Sequence, residues 1–436
     1  MGNGTLRMDR TNNNSSNSND VRLYFQGGDQ TLGGTGTITM HSALTFSNEV
    51  HDVNITAVED GSLTIDSGIT IETSENSRFV AIGASGRPLA ILGQVHARSP
   101  GHTLRVFGSQ GSSSGTVQSR GAILDVNNLI GNLSTATVSE GGTLDVDGDG
   151  YVVDQDATIE GSTLILRGRW ENQATLTSTN GANVTLNGQW ENSGTIGLTD
   201  STLTLATHSD QLGTVNATSS NIRLSSRWTT AEIESINASG STVHVAAGGW
   251  LDNTSDTFTM SDASLLLELD GGTIEGGSIA ASAVESFVVT NNEGSLIGVT
   301  LDADGQLEEG SGVTVRDGLA GNGVLTLRRT TNNSGNQFDT RLLFSGPDQT
   351  LAGTGTVELF SALTFSQQAN DVQVASSGPG KLTIGSDVTI RNGAGSQTTT
   401  VGSTAFPLQI EGTVASTVAG RTLNVFGSQV TQSGTL

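Results

Sequence analysis

The chain has 436 residues, with 19 Lys and Arg against 43 Asp and Glu, a formal charge of −24 and a pI near 4.4. Such a surface repels nucleic acid and anionic lipid and suits divalent cations, and the lack of Cys excludes disulfides, thiolate zinc sites and iron–sulfur clusters. Glycine numbers 58 and aromatics make up only 4%, too few for ordinary globular packing, while 5 prolines exclude a collagen-like or polyproline chain; no long apolar run marks a membrane span.

In chain order, the start Met1-Gly2-Asn3-Gly4 is no signal peptide. It is in register with Gly321-Asn322-Gly323, so the chain is expected to begin inside a repeat. The polar run Asn12–Asn19 reads as a loop leaving the fold, and Thr331–Phe338 as its counterpart. Asp29-Gln30-Thr31-Leu32-Gly33-Gly34-Thr35-Gly36-Thr37 returns at Asp348–Thr356, Ser42–Ser47 at Ser361–Ser366, and Phe107–Gln110 at Phe426–Gln429, always at an offset of 319. An invariant offset means that no residue was gained or lost between copies. It divides the chain into a first long repeat, 1–319, and a partial second, 320–436, continuous with it.

A shorter period runs inside the long one. The apolar pairs Leu124/Val126, Leu144/Val146, Leu164/Leu166, Val184/Leu186, Leu203/Leu205, Ile222/Leu224 and Val243/Val245 follow one another at about 20 residues. A second apolar column runs through Leu176, Ile196 and Val215. Alternation of period two, broken by Gly, Asn and Ser, predicts short strands. No helix start followed by three-and-four apolar spacing is read. One unit has too few apolar residues for a core of its own, whereas stacked units share one. The expectation is an all-β chain, a single parallel β-solenoid of right-handed β-helix type, with about 20 residues per coil and a rise of ~4.8 Å per coil.

The phrases Asp29–Ile38 and Gly61–Ile71 resemble the filler coils of parallel β-solenoid stalks in bacterial surface proteins, the pectin-lyase-like and autotransporter-adhesin group. The resemblance implies the fold and an extracellular or cell-surface setting. It carries over no catalytic residue.

The sharpest local motif is Asp145-Val-Asp147-Gly-Asp149-Gly150, continuing to Asp156. It fits a twelve-residue calcium loop, with oxygens at positions 1, 3 and 5, Gly at 6 and a carboxylate at 12. The spacing resembles a dockerin-type loop, but with Asp for Glu at the last position and no flanking helices. Asp125 falls one coil below Asp145, and two carboxylates in register repel unless a cation lies between them. Asp125, Asp145, Asp147, Asp149 and Asp156 are thus candidate calcium ligands; the competing reading is a solvated acidic turn. Calcium is the only cofactor suggested.

Trp170, Trp190, Trp228 and Trp250 fall at similar places in their coils, with Ser209 in the slot between the second and third. They could form an exposed sugar-stacking strip, but Leu164, Leu166, Gly168, Trp170, Asn172 and Leu176 share one parity, which points the rings inward beside glycines that leave them room. Asn172, Asn192 and Asn253 are expected to bond to one another and to turn backbone. No nucleophile elbow or phosphate loop is read, and His41, His51, His96, His102, His208 and His244 do not pair at metal-ligand spacing.

The leading expectation is a structural or adhesive rod of a secreted or surface-attached protein, without enzyme activity. Its partners would be surface glycans or other copies of itself end to end, and neither nucleic acid nor a membrane. The alternative is a carbohydrate-active β-helix, a polysaccharide lyase or hydrolase, or a carbohydrate-binding stalk. A flat threonine array is disfavoured, because Thr37/Thr39, Thr175/Thr177, Thr202/Thr204 and Thr257/Thr259 do not recur at one column in every coil.

Overall fold

A computed structural model describes residues 4–12, 20–43, 52–133, 135–261, 264–282, 286–332, 335–363, 371–393 and 398–436. Of the two expected loops, 13–19 and 333–334 lie outside these residues, as does His51. Strands make up 62% and helix 2%, in parallel sheets stacked as a β-solenoid with turns about 22 residues apart. The chain divides into two compact units, Met1–Ser220 and Asn221–Leu436. The repeat boundary at 319/320 lies instead within the strand Gly312–Gly321.

In the first unit the expected columns are present. Leu124 pairs with Leu144, Leu164, Val184 and Leu203 in turn, and Val126 with Val146, Leu166, Leu186 and Leu205. All are at most 6% exposed, each contributing about 1.5–3 kcal/mol relative to exposure. A second wall runs Val117, Ala136, Ala157, Leu176, Ile196, Val215. One corner per coil is made by a residue at positive φ: Gly121, Glu140, Gly161, Asn180, Asp200 and Ser219. That turn recurs with the short period of the sequence. In the second unit Leu224, Val245, Leu269, Val289, Leu307, Leu327 and Leu359 form the equivalent column.

The long repeat is also a structural repeat. Val21–Phe25, Val53–Ala57, Leu63–Ile65 and Leu89–Ile91 recur as Thr340–Phe344, Val372–Ser376, Leu382–Ile384 and Leu408–Ile410, each shifted by 319. The pairing recurs as well: Val21 with Val53, Thr340 with Val372. Coils here are longer than in the middle of the chain, since Gly4 pairs with Gly36 and Gly36 with Ile69.

Each copy buries one guanidinium between two carboxylates. Arg10, 1% exposed, pairs with Asp20 and, at 2.7 Å, with Asp52. Arg329, 0% exposed, pairs with Asp339 and, at 3.0 Å, with Asp371. Each Arg ends a strand, and each Asp stands just before the next strand of its coil. The cluster therefore ties the end of one strand to the starts of two neighbouring parallel strands, those that pair Val21 with Val53 in one copy and Thr340 with Val372 in the other.

Three expectations need correction. A one-turn helix, Thr230–Glu234, stands where the sequence shows no helical period. Its signal is a capping box: the Glu232 carboxylate accepts from Thr229 N at 2.7 Å, and Glu232 N donates to Thr229 Oγ1 at 3.3 Å. A single turn is too short to show an apolar period, and burial of Ile233 offsets the cost of nucleating it. Trp250 does not share the column of Trp228, because Trp228 pairs with Leu251 and Arg227 with Trp250. A one-residue shift moves a side chain to the other face; Trp250 is only half-buried, under the Arg227 guanidinium at 5.2 Å. Finally, Gly168 and Gly188 serve the backbone and not the rings. Both have positive φ, and a Cβ at either would lie about 2 Å from the carbonyl oxygen of the glycine one coil below.

Candidate functional site

Strand parity buries Tyr151, Trp170 and Trp190, at 0%, 3% and 3% exposure. Their rings stack along the coil axis, Tyr151 to Trp170 at 6.2 Å and Trp170 to Trp190 at 5.6 Å between centroids. The Trp indoles donate to carbonyls of the next coil, Trp170 Nε1 to Asn187 O at 3.0 Å and Trp190 Nε1 to Thr207 O at 3.2 Å. Burial pushes the Tyr151 hydroxyl far above the ordinary phenol value, which keeps it neutral. The inward reading of these rings therefore holds, and Tyr151, whose place in the stack the sequence did not suggest, extends it. Asn172 and Asn192 continue the same strands as a buried ladder, Asn172 Nδ2 to Asn192 Oδ1 at 2.8 Å and Asn192 Nδ2 to Leu212 O at 2.7 Å. Asn253 caps the backbone in the second unit, accepting from Thr230 and donating to Gly276 O and Ser278 O.

The stack ends at Ser209, whose Oγ donates to Trp190 O at 2.6 Å. A cleft of about 540 Å³ runs across successive coils over Tyr151, Trp170, Trp190 and Ser209. Its walls are the alternate, outward residues Arg169, Glu171, Gln189, Glu191, His208 and Asp210. Glu171 and Glu191 are register partners, one strand spacing of about 4.8 Å apart at the backbone. Arg169 Nε donates to Asp149 at 2.8 Å, and Ser193 Oγ to Glu171 at 2.9 Å. The indoles are too deeply buried to stack on a sugar ring and act as floor. The carboxylates and Gln189 are the groups that could accept from or donate to a hydroxyl-rich or cationic ligand. Parity places this wall outward; nothing in the sequence announces the cleft.

Four of the five calcium candidates are arranged by strand and not by loop, and Asp156 stands just before the strand Ala157–Glu160. Asp145, Asp147 and Asp149 lie in the strand Thr143–Val153, and Asp125 is the register partner of Asp145, as expected. Arginines face them. Arg105 Nε is 3.5 Å from Asp125, Arg167 Nη2 3.0 Å from Asp145, and Arg169 meets Asp149. Asp156 accepts from Thr175 N at 3.0 Å. Burial raises the Asp145 carboxyl above its ordinary value, Arg167 opposes this, and Asp125 and Asp147 add to it. Among the described residues no three acidic or His side chains are placed to hold a metal ion. Arginine thus stands beside the acidic strand where the sequence pattern suggests calcium.

One run answers to a nucleophile elbow by letter: Gly111-Ser112-Ser113-Ser114-Gly115. Ser113 is 4% exposed at the end of the strand Thr103–Ser113, and another strand follows, so the strand-to-helix turn that exposes such a serine is missing. No helix among the described residues is long and apolar enough to cross a membrane. No family model, no curated protein and no solved structure matches the chain.

Proposed function

We propose that the chain is a structural and adhesive β-solenoid segment of a secreted or cell-surface bacterial protein, acting without catalysis. The observation that carries this reading is duplication. Strand boundaries, pairing and a buried Arg–Asp–Asp cluster recur at the offset of 319, and duplication multiplies scaffold where an enzyme needs one unique cleft. An acidic, polar exterior keeps such a scaffold soluble. The partners in this reading are surface glycans or further copies of the same chain. A glycan array probed with the purified chain, together with light scattering over a concentration series, tests it. Binding to a restricted glycan set, or concentration-dependent assembly, is expected. A monomer that binds no glycan would count against it.

A second reading rests on the cleft over the Trp stack. Glu171 and Glu191 stand at adjacent strand positions in a cleft of about 540 Å³, and paired carboxylates about 5–5.5 Å apart are the machinery of retaining glycosidases. Turnover of a polysaccharide by the purified chain, abolished by Glu191→Gln with unchanged circular dichroism, would replace the adhesive reading with this one.

A further inference from the structure

A second cleft, of about 320 Å³, is lined by Arg78, Phe79, Val80, Gly101, His102, Thr103 and Arg105. Two arginines and a histidine in one cleft are unusual for a chain with only 19 Lys and Arg against 43 acids. Strand and turn put them there. Arg105 is an outward residue of Thr103–Ser113, and Arg78 and Phe79 come just before the strand Val80–Gly83, which pairs with it. His102 lies in the turn after Gly101, itself at positive φ. Phe79 is held at φ +54, a conformation costly for an aromatic residue. Its carbonyl accepts from Asp52 N at 3.0 Å and Val53 N at 3.3 Å, which fixes it there.

Burial first, then the Arg78 charge, hold the His102 imidazole below its ordinary value, against a smaller opposing effect from the Gly101 backbone. An acid, Asp125, stands beside the group: its Oδ2 lies 3.5 Å from Arg105 Nε, while Asn127 Nδ2 donates to its Oδ1 at 2.8 Å.

The second long repeat supplies an internal control. At the offset of 319, Arg78 becomes Gln397, Phe79 Thr398, His102 Arg421 and Arg105 Asn424, while Gly101 and Thr103 persist as Gly420 and Thr422. The strand pairing is kept, Leu104 with Val80 and Leu423 with Thr399. Both arginines and the aromatic ring are lost, and a single guanidinium stands in place of the histidine. A charge needed to hold the coil together would have been retained in both copies, as Arg10 and Arg329 are.

We propose that this cleft binds a single oxyanion group, a carboxylate or a phosphate, carried on a small neutral body that lies against the Phe79 ring. The guanidiniums are suited to such planar or tetrahedral oxyanions, and the volume is at the small end for ligand sites. The remaining negative charge of the chain repels a long polyanion far more strongly than a ligand with one anionic group.

Isothermal titration calorimetry on the full chain, with inorganic phosphate, glucuronate and glucose as probes, tests this. Saturable binding of phosphate or glucuronate, but not of glucose, is expected; glucuronate the tighter of the two would identify a sugar acid, phosphate the tighter a bare oxyanion. Arg78→Gln/Arg105→Gln should weaken binding at least about tenfold, and Asp125→Asn, which removes the acidic neighbour of Arg105, should tighten it roughly two- to fivefold. Arg105→Gln alone, at a 38% exposed side chain, gives a variant whose fold is not at risk and should weaken binding as well. No saturable binding of either anion, or binding unchanged in both arginine variants, overturns the proposal.

Discussion

Residues 4–113 and 323–432 are two copies of one scaffold. Inside, they agree: Leu63 pairs with Leu89 as Leu382 does with Leu408, and a buried arginine joins two aspartates in each. In sequence they part where Arg78, His102 and Arg105 are answered by Gln397, Arg421 and Asn424. A buried charge is tolerable only with its partners, so no member of the Arg–Asp–Asp set can change alone. A surface charge carries no such condition. What a duplicated scaffold retains is what its interior demands; what differs is open to function.

The largest test of this contrast removes the buried cation. Arg329→Met should cost about 3–5 kcal/mol, because buried Asp371 loses the Arg329 guanidinium and Asp339 keeps only the more exposed Arg341. Arg10→Met should cost the same for Asp20 and Asp52, and urea unfolding followed by circular dichroism reads both. A loss below about 1 kcal/mol in one copy alone would break the equivalence. Next come the matched core positions. Leu63→Ala and Leu382→Ala, at 1% and 0% exposure, should each cost about 2–5 kcal/mol and agree with one another.

The effect of pH is smaller. Burial pushes the Asp339 and Asp371 carboxyls above the ordinary value of 3.8; Arg329 and Arg341 pull both back, and Asp339 adds to the rise at Asp371. The folded state then binds protons more readily than the unfolded state. The contribution of these groups to stability falls as pH rises from 3.8 through the raised value. Asp371→Asn should flatten that part of the stability profile, on the side of pH 3.8 toward neutrality, as read by thermal unfolding in matched buffers. An unchanged slope would mean that Asp371 titrates normally.

The smallest effects belong to the surface. Arg105→Gln should change stability by less than about 0.5 kcal/mol, although it weakens anion binding. Calcium at millimolar concentration should leave the melting temperature unchanged, since Arg105, Arg167 and Arg169 already face the acidic residues. A rise that disappears in Asp147→Ala would restore a calcium site there.

The solenoid was legible in the sequence because its cause is local and repeated. Alternation of period two states which side chains face inward, and recurrence at about 20 residues states which of them meet. Leu144 through Leu224 are all buried as that pattern requires. The inward turn of Trp170 and Trp190 followed from the same parity. Parity fails once the register slips, and a slip by one residue turned Trp250 outward while Leu251 took its place. The capping box of Thr229 and Glu232 was present, but a single turn has no period to reveal it. Tertiary structure alone brought Asp52 to Arg10 and Asp371 to Arg329, far apart along the chain. It alone set Arg78 beside His102 and Arg105, and opened a cleft over Tyr151, Trp170 and Trp190. Columns follow from spacing along the chain; clefts and buried charge pairs follow from where distant turns close, which no local pattern specifies.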